Sequence, residues 1–141
     1  MSIKIIPLGV GSAFSKHKGQ SNFLIANGGE VNPEYLAWDF GTQWPMMIDR
    51  YCIENDLPEF QYWLKNYYLS HNHADHNGGA EEIAFSTFFP PTIARPNLYG
   101  NVRVLNDAWE KSWRGGLESL SWGQLPEEYK EKLIDLNMYF D

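Results

Sequence analysis

The sequence predicts an α/β layered domain, and three observations carry that reading. Strand-like segments fill residues 3–40, helix-like segments alternate with strand-like ones after them, and Gly or Pro marks the joins. The 141 residues make one domain, residues 1–141, with no internal repeat or low-complexity linker to divide it. Hydrophobic residues, at 43%, supply a core, and charged residues, at 21%, supply a water-facing surface, so the chain is expected to fold.

Taken in order, residues 3–8 form an apolar run ended by Gly9 and Gly11, which suits a first buried strand. The run is too short for the apolar segment of a signal peptide. Residues 21–26 read as a second strand, turned by Asn27-Gly28-Gly29, and residues 35–40 as a third, closed by Gly41. These three form a meander. Pro45 suits the first turn of a helix over residues 45–54. A short helix is expected over 58–65, then a buried strand over 66–70. A helix over 79–88 stops at Pro90-Pro91, a brief strand follows at 92–94, and helices over 101–113 and 126–136 complete the chain.

Composition excludes some functions. A net charge of −7 repels a phosphate backbone, so nonspecific nucleic-acid binding is not expected. A small phosphorylated substrate in a local basic pocket remains compatible with that charge. Lys16, His17 and Lys18 form the one compact basic cluster, either a phosphate guide or a solvated loop tip. No apolar run reaches the roughly 20 residues of a membrane span. The single cysteine, Cys52, forms no internal disulfide and fits a cytoplasmic location.

The stretch LSHNHADHNGG, Leu69 to Gly79, holds three of the chain's four histidines and an aspartate. On a helix, residues two apart point to opposite sides; on extended backbone, positions 71, 73 and 75 share a face. His71, His73 and Asp75 therefore suit a strand end or loop. His76 faces elsewhere unless the chain turns, and Asn77-Gly78-Gly79 supplies a turn. Two neighbouring ligand sets result, His71 with His73 and Asp75 with His76, which suggests two metal ions. Imidazole and carboxylate suit zinc, manganese or iron(II), and the lack of nearby cysteine argues against a closed structural zinc site. A helix starting near residue 79 would turn its positive end to the site and favour an anion there. The competing reading is a solvated polar loop, which the density of these residues at a strand end disfavours.

The pattern His71-Asn72-His73-Ala74-Asp75-His76, H-x-H-x-D-H, resembles that of the metallo-β-lactamase-fold hydrolases. LGVGSAF at 8–14 and QSNFLI at 20–25 are similar to the first strands of the ribonuclease Z-like branch. DFG at 39–41 resembles its D-x-G strand ending, and NGGAEE at 77–82 the helix after the motif. WRGGLESL at 113–120 and the final MYFD resemble the anti-Pycsar cyclic-nucleotide phosphodiesterases of phages and bacteria. The resemblance runs over residues 3–141 and covers the first half or so of a usual family member.

That resemblance implies an αββα sandwich, here truncated to about one sheet with flanking helices. It implies two zinc ions, or manganese, with His71 and His73 on the first and Asp75 and His76 on the second. Asp75 would also handle protons while an activated water attacks the phosphorus of a cyclic nucleotide. The family pattern needs further ligands after the motif. Here no histidine follows His76, and Asp107, Asp135 and Asp141 sit in no matching context. One copy therefore does not complete a two-metal site, and a lone sheet would expose an apolar face. A fragment of a longer product, a homo-oligomer or complementary subunit that rebuilds the sandwich, and a shortened relative are the three explanations. MYFD resembles an internal family segment, which favours the first. The functional alternatives are a non-catalytic half-domain that binds metal, nucleotide or a partner, and a hydrolase of thioesters or lactams.

Other residues have simpler readings. Gly9 and Gly11 lack the third glycine of a dinucleotide fingerprint, since Phe14 stands there, and suit a tight turn. Asp39 is expected to orient a ligand histidine or the motif loop. Asn22 is expected to hydrogen-bond within its loop, Trp109, Trp113 and Trp122 to pack in a core, and Cys52 to be a small buried apolar residue.

Overall fold

The structure is a computed structural model that describes residues 2–29, 33–118 and 136–141. Its sheet has five strands in the order of the chain: β1 (Ser2–Pro7), β2 (Phe23–Gly28), β3 (Glu34–Trp38), β4 (Asn66–Leu69) and β5 (Asn97–Gly100). The first three strands pair antiparallel, as the expected meander requires, and β4 and β5 join parallel to β3. Parallel neighbours need long crossovers. Helix α1 (Trp44–Glu54) lies in the first; α2 (Ala74–Asn77) and α3 (Ala80–Phe88) lie in the second. After β5 the chain stays helical through α4 (Val102–Ala108), a π-helical stretch at Trp109–Trp113 and α5 (Arg114–Leu117).

Alternation decides which face of the sheet is covered. Leu24, Ala26, Ala37, Tyr67 and Leu69 are buried on one face. Against them pack Trp44, Met47, Ile48 and Cys52 of α1, Ala80, Ile83 and Ala84 of α3, and Trp109, Trp113, Leu117, Tyr139 and Phe140. Cys52 and the two described tryptophans thus lie where the sequence suggested; Trp122 lies outside the described residues. Aromatic edges knit the layers: Trp44 meets Phe60 at 5.0 Å and Tyr67 at 5.9 Å. The opposite face carries Ile3 and Ile5 at 70% and 68% exposure, with Trp38 and Tyr99 also exposed. The strand register lines up Phe23, Trp38, Tyr68 and Tyr99 across four strands on this face. The sequence anticipated such a bare apolar face. The described residues form this one sheet with its helices, and no second sheet is among them.

Several elements differ from expectation. The helix expected over 58–65 is a 3-10 turn at Phe60–Tyr62. No strand forms at 92–94, where Ile93 N–H closes a turn onto the Pro90 carbonyl; the strand starts after Pro96 instead. The helix over 101–113 runs on to Leu117 through Gly115 and Gly116, capped at its start by Asn101, whose side chain accepts from Arg103 N–H. The helix expected over 126–136 lies mostly outside the described residues.

The two faces make opposite predictions. Leu24→Ala, on the covered face, is expected to cost about 2–5 kcal/mol of stability. Ile5→Lys, on the bare face, is expected to change the stability of the isolated chain by no more than about 0.5 kcal/mol. Urea unfolding of both variants checks the assignment, and equal losses would contradict it.

Candidate functional site

The motif leaves β4 in extended backbone through His73, whose φ of −74° and ψ of 146° make it the cap before α2. The chain turns at Ala74, not at Asn77-Gly78-Gly79, so Asp75 and His76 sit on a helical turn rather than on the extended face with His71 and His73. The turn brings all four together. His71 Nε2 lies 3.1 Å from His73 Nδ1, and His76 Nε2 lies 3.3 Å from an Asp75 carboxylate oxygen. The His71 and His76 rings meet at 4.0 Å between centroids, tilted by 44°, which joins the two pairs.

The turn begins early because the loop after β3 grips it. Thr42 N–H donates to the Ala74 carbonyl and Phe40 N–H to the His76 carbonyl. Gly41 is required between them: a Cβ there would stand 2.0 Å from the Asp75 carbonyl oxygen. Asn22, fully buried, accepts from Gly41 N–H through Oδ1 and donates to the Asp75 carbonyl through Nδ2. Its reach extends beyond the loop in which the sequence placed it. Gln20, also buried, holds Thr42 Oγ1 and Gln43 N–H. Gly79 N–H is engaged by the Phe40 carbonyl, so this part of the turn before α3 meets protein backbone rather than an open anion site.

Asp39 is the centre of the support. It is buried, and its φ of 61° is left-handed, a region an aspartate enters at a cost of roughly 1 kcal/mol. Its carboxylate accepts from Ser70 N–H at 2.8 Å, from Ser70 Oγ at 2.8 Å and from His76 Nδ1 at 2.8 Å. Ser70 Oγ in turn lies 2.9 Å from His71 Nδ1. The sequence pointed to Asp39 but missed Ser70; its only signal was a hydroxyl residue between the strand end and the first histidine.

Lys16, His17 and Lys18 are exposed at the tip of the loop between Gly11 and Gln20. No side-chain hydrogen bond or ion pair joins them to the four motif residues among the described residues.

The donor set can be tested against a metal. Nitrogen or oxygen ligands at roughly 2.0–2.2 Å from zinc, meeting at a tetrahedral angle, stand about 3.3 Å apart. Each pair here matches one such edge, and the far nitrogens of His71 and His76 are held by Ser70 and Asp39. Each pair supplies two donors. Among the described residues, no group of three or more His, Cys, Asp or Glu side chains is arranged to hold a metal ion. The residues fit a metal edge by edge and leave each coordination shell open.

These features define a layered α/β protein that gathers three imidazoles and a carboxylate where a central strand leaves its sheet. The family profile described as Anti-Pycsar protein Apyc1 matches residues 3–141. The chain belongs to that family. It is 31% identical over 141 residues to the Anti-Pycsar protein Apyc1 of Paenibacillus xerothermodurans, which covers 100% of this chain and 48% of the relative. It is 34% identical over 117 residues to that of Paenibacillus harenae, covering 83% and 43%. It is 30% identical over 110 residues to that of Bacillus phage BSP38, covering 78% and 40%. The chain thus spans about half the length of the curated relatives it matches. No helix among the described residues is long and apolar enough to cross a membrane.

His71 has its pKa lowered from the usual 6.5, first by burial and then by the neighbouring His76 and His73. The folded state therefore binds this proton less readily than the unfolded chain does. Its contribution to stability is fully present above the unfolded value and is lost as pH falls through the lowered folded value. Thermal melts of the metal-free chain are expected to show a decline as pH falls below the usual histidine value of 6.5, and His71→Asn is expected to flatten it. An identical pH profile in the variant would contradict this.

Proposed function

We propose that this chain carries the ligand loop of a metal-dependent phosphodiester hydrolase acting on cyclic nucleotides, built on a metallo-β-lactamase-like sandwich. The observation that supports it most is the pair of donor edges, His71 with His73 and Asp75 with His76, at 3.1 and 3.3 Å. The relatives bear the name Anti-Pycsar, and the H-x-H-x-D-H motif resembles that of phosphodiesterases of this kind.

His71 Nε2 and His73 Nδ1 would hold one divalent ion, zinc or manganese, and Asp75 and His76 Nε2 a second. Such ions supply Lewis acidity and water of lowered pKa. The chain's own residues do the rest. Asp39 and Ser70 keep the rings aimed. Asp75 takes the proton of the attacking water; a P–O bond forms, the bond to the ring ester oxygen breaks, and the proton passes to that oxygen. Lys16, His17 and Lys18 would guide the phosphate if their loop closes toward the motif.

The open coordination shells and the bare sheet face point to one missing body. We assign it to a complementary segment of about this chain's own size, since the relatives are about twice as long. The non-catalytic reading, a half-domain that binds metal, nucleotide or a partner, is favoured by the absence of three converging donors among the described residues.

Zinc titration with cyclic nucleotide hydrolysis separates these readings. Expected are zinc binding lost in His73→Ala and, in the assembly that includes the complementary segment, nucleoside monophosphate release that falls roughly 10²–10⁴-fold in Asp75→Asn. Release that persists in His73→Ala would overturn the assigned chemistry; zinc binding without release in that completed assembly would favour the half-domain. The missing body has its own readout. The isolated chain is expected to bind an apolar dye through the bare face, less so with Ile5→Lys. Sedimentation as a stable dimer that excludes the dye would instead identify a second copy as the cover.

A further inference from the structure

The contacts around Ser70 determine which nitrogen of His71 carries its proton. An ionised carboxylate only accepts hydrogen bonds. The 2.8 Å contact between Ser70 Oγ and Asp39 therefore uses the single hydroxyl proton. Ser70 Oγ has lone pairs left and no proton, so at 2.9 Å it accepts from His71 Nδ1–H. The opposite arrangement, Oγ–H toward His71, would set two proton-free oxygens 2.8 Å apart. Ser70 N–H, donating to the other oxygen of Asp39, fixes the position of the residue that makes the link.

We propose that Ser70 is a positioning residue: it relays the Asp39 carboxylate to His71 and locks that ring with the proton on Nδ1, so that Nε2 is the acceptor in the 3.1 Å contact with His73 Nδ1. Asp39 holds His76 directly, through Nδ1 at 2.8 Å, while Nε2 of that ring lies 3.3 Å from the Asp75 carboxylate. One buried carboxylate thereby orients two rings, one by contact and one through a hydroxyl, and only the second is set in its tautomer by the hydroxyl. The service of this lock to a metal rests on the function proposed above. The lock itself is a property of the metal-free chain.

The test reads the tautomer first. In metal-free, ¹⁵N-labelled protein, long-range ¹H–¹⁵N spectra are expected to show His71 protonated on Nδ1. Ser70→Ala should move it toward the Nε2–H form, and Ser70→Thr, which keeps a hydroxyl, should restore the Nδ1–H form. Dispersed amide signals in the same samples show that each variant is folded. Cobalt(II) titration followed by visible absorption is expected to weaken by roughly 10–100-fold in Ser70→Ala and to recover in Ser70→Thr. Nε2–H in the parent chain, or an unchanged tautomer in folded Ser70→Ala, would overturn the relay. A tautomer that shifts in a chain that takes up no cobalt would uphold the relay and count against the metal-dependent function.

Discussion

Everything at the proposed site depends on one buried carboxylate held in an unfavourable backbone conformation. Asp39 follows the last residue of β3 with φ at 61°. A β-branched residue would resist that turn, and a glycine would permit it but carry no acceptor. Aspartate tolerates the left-handed region and brings two oxygens to it. The three donors those oxygens satisfy, Ser70 N–H, Ser70 Oγ and His76 Nδ1, come from both ends of the motif. Asp39 therefore spans the motif, gripping the residue before its first histidine and its last histidine together. The cost of roughly 1 kcal/mol in the backbone is offset by charge-assisted hydrogen bonds, each worth about 1.5–3 kcal/mol.

The surrounding loop makes that grip rigid. Phe40 and Thr42 donate to the carbonyls of His76 and Ala74, and Gly41 lets the two backbones approach. Asn22 reaches from the loop before β2 to hold Gly41 and Asp75 at once. Trp113 Nε1 donates to the Asn77 carbonyl at 3.1 Å from the other side, while its ring packs near Phe40. A turn of four residues is too short to persist alone. Here it is fixed because its carbonyls have partners on three separate segments. Polar residues buried in this region, Gln20, Asn22, Asp39 and Asn77, are the ones that tie those segments together.

Periodicity made the sheet legible. The runs that became β1 to β4 alternate or stay apolar between Gly-marked turns, and each was placed within about two residues of its observed bounds, a margin common at element ends. Prolines misled at 92–94: Pro90, Pro91 and Pro96 bracket the segment, and only after the last of them can N–H groups pair with β4. The four motif residues were legible as a group, because their density is a local property. Their backbone was not. Helical geometry at Ala74–Asn77 comes from contacts with Phe40 and Thr42, which lie more than thirty residues earlier. Ser70 and the long reach of Asn22 were hidden for the same reason, since a serine or asparagine gives no sign in sequence of a partner so distant.

The bare face and the motif residues are linked by the strand register. Trp38 directly precedes Asp39, and Tyr68 lies two residues before Ser70. Both belong to the aromatic row that runs from Phe23 to Tyr99 across the uncovered face, where the Trp38 and Tyr68 rings meet at 4.5 Å. That row stands at the end of the sheet from which the motif departs. Exposed aromatic surface is costly in water, at roughly 25 cal/mol for each square ångström left uncovered. A body that buries the row also comes to rest beside the strand ends that carry Asp39 and Ser70. The apolar row and the polar site are neighbours by construction, because strands β3 and β4 present them at consecutive positions.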